Sequence, residues 1–485
     1  MRLLGSDWNG RIFSGGWTDG GAGTAPVVEP ATGTELGSIG LADASDVAKA
    51  TERAVAAQRD WAAASFEERA AVLRRAGLLF TQHAEEISDW IVRETGAIPP
   101  KAGLEIHVAE QECFEASALA SHPYGELLHS AQPRMSMARR LPAGVVGVIS
   151  PFNFPLILSI RSVAPALAVG NAVVLKPDPR TSVVGGVLLA RVFEEAGLPE
   201  GVFHVLPGGA EVGAALVEDP AVRIISFTGS TAAGRKVGEA AARLLKRAHL
   251  ELGGNNALIV MPDADLELAV RAGAFGSFMH QGQICMTTGR HLVHEKIADA
   301  YIEQLAKKAD GLPVGDPSTD QVALGPIIDQ RQLERIHGLV TASVEAGATV
   351  AAGGSYDRLF YRPTVLTGVT TQTPAYRDEV FGPVAPVMTF ADEEEAIALA
   401  RANDYGLSLG ILSRDVMAAV AMADRIPSGI VHINDQTVSD EATIPFGGVG
   451  WSGTGARLGG AQANLDAFTE TQWLTLQGDI TRYPF

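Results

Sequence analysis

A chain of 485 residues, 46% of them hydrophobic, is long enough to bury more than one core, and 38 basic against 56 acidic side chains leave it at a net −18. With a pI near 5.1 it repels phosphate backbones and anionic bilayers, which excludes nucleic acid and membrane surfaces from the expected partners. Its two cysteines, Cys113 and Cys285, are too few and too far apart for a disulfide framework, so a reducing compartment is expected.

The opening MRLLGSDWNGRIF holds no apolar run fit for a secretory signal, since Asp7 and Asn9 interrupt it, and the expectation is a soluble, cytoplasmic protein. The first 140 residues read as mostly helical. Ser65 and Glu68 form a capping box ahead of Phe66, Arg69, Ala70, Leu73, Ala76, Gly77 and Phe80 at helical spacing. A further helix spans about 84–95 and stops at Gly96 and Pro99. Residues 123–141 hold Gly125, Pro133 and two histidines before the alternating MSMARRL, which predicts an extended arm of the kind used as an oligomerisation strand.

From Val145 the runs VVGVI, AVVL, VFHVL, VRIISF and AHLEL alternate with helical segments such as 182–196, a pattern that predicts a parallel sheet with helices on both faces. The longest apolar stretch, 162–175, is broken by Pro165, Gly170 and Asn171 and is too short to span a bilayer. Ligands of such sheets bind beyond the carboxyl ends of the strands, where Asn153, Lys176, Ser230 and Glu251 fall. FTGSTAAG, 227–234, is a strand end opening a helix, whose free N–H groups suit an anion. Arg235 and Lys236 stand where a P-loop requires Lys then Ser or Thr, and G-x-G-x-x-G is absent, so a plain helix-opening turn is the alternative. A second strand and helix series runs from ALIV (257–260) to GIVHIN (429–434).

On that second series lies FMHQGQICMTTGR, 278–290, where small and polar neighbours leave Cys285 reachable as a nucleophile rather than a packed structural cysteine. A thiol of ordinary pKa, about 8.5, is only a few per cent thiolate near neutrality, so the setting must lower that pKa or supply a base. The passage DEATIPFGGVGWSGTG, 440–455, predicts a loop over a cleft. No metal site is expected.

PFNFP (151–155), FTGS (227–230), LELGGN (250–255), GQIC (282–285), EVFGPV (379–384) and PFGG (445–448) occur together and in order. In these motifs the chain resembles the aldehyde dehydrogenase superfamily over roughly 30–468, and NFPLILSIRSVAPAL with KPDPRTS resembles its benzaldehyde and vanillin dehydrogenase branch. The resemblance implies an α/β fold of two parallel-sheet domains and a small β arm. Residues 1–121 and 143–250 would form the Rossmann-like dinucleotide-binding domain, 251–455 the catalytic domain, and 122–142 with 456–485 the oligomerisation arm and tail of a homodimer or homotetramer.

It also implies roles. Cys285 would attack the aldehyde carbon, Asn153 and a backbone N–H would hold the oxyanion, and Glu251 would be the general base that hydrolyses the thioester. NAD or NADP would be held by Lys176, Ser230, Gly229, Glu379, Phe381, Pro179, Arg180, Ile149 and Pro151. Members selective for NAD commonly carry Glu three residues after this lysine; Pro179 stands there, followed by Arg180, which removes a carboxylate that would repel a 2′-phosphate and predicts dual coenzyme use. Phe154, Ile157, Arg161, Ile284, Met286 and Phe446 would line a pocket for a planar aromatic aldehyde, with Arg161 either on a polar ring substituent or on an acidic neighbour. An aliphatic or semialdehyde substrate is the alternative. Coenzyme A as acyl acceptor is disfavoured because relatives working that way generally lack the base present here as Glu251. Asn255, where many relatives have Lys, has no mechanistic account at this level.

Overall fold

The computed structural model describes residues 2–485. Its first sheet has seven strands in the order Arg247–Glu251, Val222–Thr228, Val145–Ile149, Ala172–Lys176, Phe203–Val205, Arg11–Ser14 and Trp17–Asp19. The first five run parallel and the last two are added antiparallel. The parallel strands are the five β-rich runs of the sequence, and the Val, Ile and Leu content of the three central to the sheet, Val222–Thr228, Val145–Ile149 and Ala172–Lys176, suits burial on both faces. The N-terminal strands correct the expectation of a mostly helical start. Short strands between glycines of positive φ, Gly10, Gly15, Gly16, Gly23 and Gly33 among them, bend this segment along the sheet edge before any helix begins.

Four helices follow, α1 (Ala44–Ala63), α2 (Phe66–Gln82), α3 (Ala84–Thr95) and α4 (Pro99–Leu119). The Ser65/Glu68 capping box is formed, and Gly96 ends α3 in the left-handed conformation. α4 packs against α2 and against α5 (Pro155–Ala168), which leaves the end of strand Val145–Ile149. The segment 182–196, expected to be helical, is helical, as a π-helical turn at Val183–Val187 that runs directly into α6 (Leu188–Glu195), and a 3-10 turn at Pro179–Thr181 precedes it. Glu94 of α3 takes the N–H groups of Val183 (2.9 Å) and Val184 (2.7 Å), and a Cβ at Gly186 would stand 2.7 Å from Val205. α7 (Ala210–Glu218) and α8 (Thr231–Arg243) complete the crossovers.

The second sheet runs Thr349–Ala352, Thr364–Thr367, Val384–Phe390, Thr288–His294, Asn256–Val260, Ser408–Leu412 and Ile430–Ile433, parallel except for its first strand. Ala257 and Ile259 feed one apolar layer and Leu258 and Val260 another, so alternate side chains bury both faces. α9 (Leu266–Phe278) delivers the chain to the turn carrying Cys285.

The arm is a three-stranded antiparallel sheet, Thr469–Leu476, Met135–Pro142 and Gly125–Leu128. The arm and the tail pair with each other within the chain, from Thr469 opposite Pro142 to Leu476 opposite Met135. Among the described residues no helix is long and apolar enough to cross a membrane.

Candidate active site

The Cys285 turn is bolted on all sides. His280, Gln281 and Gly282 take successive positive φ values of 46°, 56° and 65°, and a Cβ at Gly282 would stand 2.1 Å from the carbonyl oxygen of Gly382, so only glycine fits there. Gln281 donates to the carbonyls of Gly96 (3.1 Å) and Pro326 (2.8 Å), and Gln283 accepts from the N–H of Ile328 (3.1 Å). Asn256 Nδ2 donates to the carbonyls of Cys285 and Thr287, both at 2.8 Å. Cys285 itself is half-buried.

Burial pushes the Cys285 thiol up to about 12, and Glu379, Glu251 and Asp440 add to the rise. Of the two routes to a thiolate, the lowered pKa is therefore not the one this pocket takes, and a base is required. Glu251, at the end of strand Arg247–Glu251, lines the same narrow cavity as Cys285. Burial raises its carboxyl well above the usual range, against the opposing charges of Arg457 and Arg161. Neither carboxylate oxygen is hydrogen-bonded to the protein.

Leu158, Arg161, Ser162, Thr228, Leu252, Phe446 and Leu458 complete that cavity. Of the residues expected to line the pocket, Arg161 and Phe446 line this cavity; Ile284, Met286, Phe446 and Phe154 gather with Cys285 in one apolar cluster, and Ile157 is buried outside both groups. Leu158 and Ser162 were absent from the expected lining, although they follow Phe154 at i+4 and i+8 on α5, a spacing legible in sequence. Arg161 is not free for a ring substituent. Its Nε donates to Glu112 (2.8 Å), Nη1 pairs with Asp440 (2.8 Å), and the guanidinium lies 5.2 Å from the Phe446 ring. Burial pushes Glu112 up to about 7 in spite of that arginine.

Asn153 lies in the loop between strand Val145–Ile149 and α5, buried, with its carbonyl accepting from Lys101 Nζ at 2.8 Å. Ile149 and Phe152 are buried beside the half-buried Pro151. Lys176, at the neighbouring strand end, is 8% exposed; burial lowers its pKa, with Asp178 and Glu211 opposing. Pro179 opens the 3-10 turn. Arg180 is engaged: it donates to Asp178 (2.9 and 2.8 Å) and Asp329 (2.8 Å) and stacks 4.1 Å from the Phe152 ring. Ser230 is exposed and caps α8, its hydroxyl accepting from Ala233 N–H (3.3 Å), while Gly229 N–H donates to the Glu251 carbonyl (3.0 Å).

Glu379 accepts from Gly254 N–H (3.0 Å), and a Cβ at Gly253 would stand 2.2 Å from its Oε2, so that glycine keeps the carboxylate's place open. Loss of solvation raises Glu379 to about 7. Phe381 takes φ +54° and packs edge-on to Phe152 at 5.8 Å. Asn255 has a structural account: its Nδ2 donates to the Tyr376 carbonyl (2.7 Å), and its own carbonyl accepts from Arg290 (2.9 Å). Among the described residues no cluster of His, Cys, Asp and Glu could hold a metal ion.

A model of the aldehyde dehydrogenase family matches residues 17–474. The chain is 67% identical to a vanillin dehydrogenase of Amycolatopsis sp. over 478 residues, 99% of this chain and 98% of the relative. It is 50% identical to a benzaldehyde dehydrogenase (NAD+) of Pseudomonas putida over 479 residues, again 99% and 98%. Among solved structures, a salicylaldehyde dehydrogenase from Pseudomonas putida G7 complexed with salicylaldehyde matches with a TM-score of 0.94 at 35% identity, over 98% of this chain and 99% of that one. A betaine aldehyde dehydrogenase from Staphylococcus aureus in complex with NAD+ matches with a TM-score of 0.95 at 29% identity, over 99% and 97%.

Proposed function

The chain belongs to the aldehyde dehydrogenase family, and on that footing we propose that it oxidises an aromatic aldehyde of the benzaldehyde or vanillin type to the carboxylic acid. The observation that carries the reading is one narrow cavity lined by a thiol, Cys285, and a carboxylate, Glu251, with aromatic and apolar walls. Cys285, once its proton has passed to a base, adds to the carbonyl carbon, and the oxygen takes up the negative charge. Asn153 and a backbone N–H donate to that oxyanion. Hydrolysis of the Cys285 thioester needs a proton removed from water, and a carboxylate with a raised pKa and unengaged oxygens suits Glu251 to that step. Water rather than coenzyme A is the acyl acceptor on this reading.

The residues fit a dinucleotide at the strand ends: a buried lysine, the start of α8, and the glycine-floored seat of Glu379. When bound, NAD+ supplies the hydride acceptor. Lys176, Ser230, Gly229, Glu379, Phe381, Ile149 and Pro151 would hold it, within a dinucleotide-binding domain of 1–121 and 143–250 facing a catalytic domain of 251–455. With Arg180 tied to Asp178 and Asp329, and Glu211 near Lys176, a 2′-phosphate finds less positive charge than Pro179 alone suggests. NAD+ is accordingly the preferred coenzyme. The working form is cytoplasmic and a homodimer or homotetramer. A turnover screen of aromatic and aliphatic aldehydes with both coenzymes tests the reading: benzaldehydes should exceed aliphatic aldehydes in kcat/KM at least tenfold, and equal or reversed values would refute the aromatic assignment.

A further inference from the structure

Lys101 and Glu105 lie one turn apart on α4, form an ion pair, and have side chains with no solvent exposure. Isolating two charges from water costs several kcal/mol each, and apolar side chains of the same volume commonly serve packing as well or better. This pair does something apolar side chains cannot. Lys101 Nζ donates to the carbonyl of Asn153 at 2.8 Å and sits 4.4 Å from the Phe154 ring centroid. Glu105 Oε2 accepts the N–H groups of Leu156 (3.0 Å) and Ile157 (3.3 Å), the first turn of α5. The backbone is thus gripped at the carbonyl of Asn153 itself and again three and four residues on, at the start of α5. Phe154 in turn packs edge-on to His280, 5.5 Å between centroids, in the turn that leads to Cys285.

We infer that Lys101, held by Glu105, is a positioning residue for oxyanion stabilisation: it fixes the peptide at Asn153 so that the side-chain amide meets the aldehyde oxygen as charge develops there. The inference rests on the reading of Asn153 as the oxyanion donor. A donor is worth its full effect only when it is already in place, since movement during the reaction costs what the hydrogen bond returns.

A double-mutant cycle tests it. Lys101→Met alone would leave Glu105 buried without its partner, so the variant is Lys101→Met with Glu105→Gln, and Lys101→Gln made in the same Glu105→Gln background, which keeps an N–H donor near the carbonyl, serves as the conservative rescue. The single-turnover rate of benzaldehyde oxidation should fall on the order of 10²–10³-fold in Asn153→Ala and about 10–100-fold in the pair variant. On the Asn153→Ala background the pair change should cost less than twofold, because no donor remains to be positioned. NAD+ affinity and the rate of Cys285 alkylation should stay within twofold, and Lys101→Gln should recover most of the lost rate. Equal fractional loss on both backgrounds, or no loss from the pair variant, overturns the inference while leaving Asn153 in its role. A wild-type rate in Asn153→Ala overturns the reading beneath it as well.

Discussion

Cys113 and Cys285 have the same side chain and opposite prospects. Cys113 is wholly buried on α4, while Cys285 faces a cavity shared with a carboxylate. Both thiols are raised by burial, so the difference lies in access and in the neighbouring base rather than in acidity. An acid with a folded pKa near 12 gains thiolate tenfold per pH unit below that value. Iodoacetamide should therefore modify Cys285 at a rate rising with a slope near 1 in log k against pH from 7 to 9, and Cys285→Ala should abolish both this reaction and turnover while Cys113→Ala preserves them. A plateau below pH 8 would mean that a neighbour lowers the thiol pKa after all. Glu251→Gln should release about one equivalent of reduced coenzyme per site in a first burst and then turn over roughly 10²–10⁴-fold more slowly, measured by stopped-flow absorbance. That Cys285 and Glu251 share one cavity was foreshadowed because each sits in a short motif at a strand end or turn. Lys101, Glu105, Glu112 and Asp440 were not legible, because a charged residue inside a helix or loop reads as solvated, and what reverses that reading is a partner about fifty residues away or, for Asp440 and Arg161, far more.

Strands and helices were legible where composition and caps agree. Strands such as Val145–Ile149, Ala172–Lys176 and Val222–Thr228 carry β-branched runs, and the Ser65 and Gly96 signals fix their helix ends. The π geometry of the turn ahead of α6 escaped for a physical reason: its apolar sequence suits an ordinary α-helix, and Glu94, a residue of α3, takes two of its amides. Removing that carboxylate strands both N–H groups in a buried site. Glu94→Ala should therefore destabilise the protein by about 2–5 kcal/mol, read as a lowered urea midpoint with the m-value unchanged. A shift under 0.5 kcal/mol would mean that water satisfies the two amides instead. The N-terminal strands escaped for another reason: with three to six residues each and exposed positions among them, they carry almost no periodic signal.

At the scale of the molecule, the alternation of strand and helix carried the two α/β sheets into view, while their edge partners came from distant chain segments that no local pattern announces. The arm pairs internally, yet Leu127 and Trp473 on its outer strands remain 75% and 64% exposed. Edges of this kind are a liability for a lone molecule and a docking place for a second copy. Sedimentation should give a dimer or larger at micromolar concentration, and Trp473→Asp should shift it toward monomer; a wild-type monomer would rule the assembly out. The chain's charge of −18 limits nonspecific association, so the contact must be a specific one.

The arm also has a history within each molecule. Arg139 and Gln472 face each other across 333 residues of sequence. At ribosomal speeds of about 5–20 residues per second, the central strand of the arm leaves the ribosome roughly 15–70 s before its tail partner exists. The arm thus matures long after the first sheet can have closed. A message cut short before Thr469 would yield a chain with both α/β sheets encoded and one strand edge permanently open, a species marked for aggregation or for chaperones rather than for assembly.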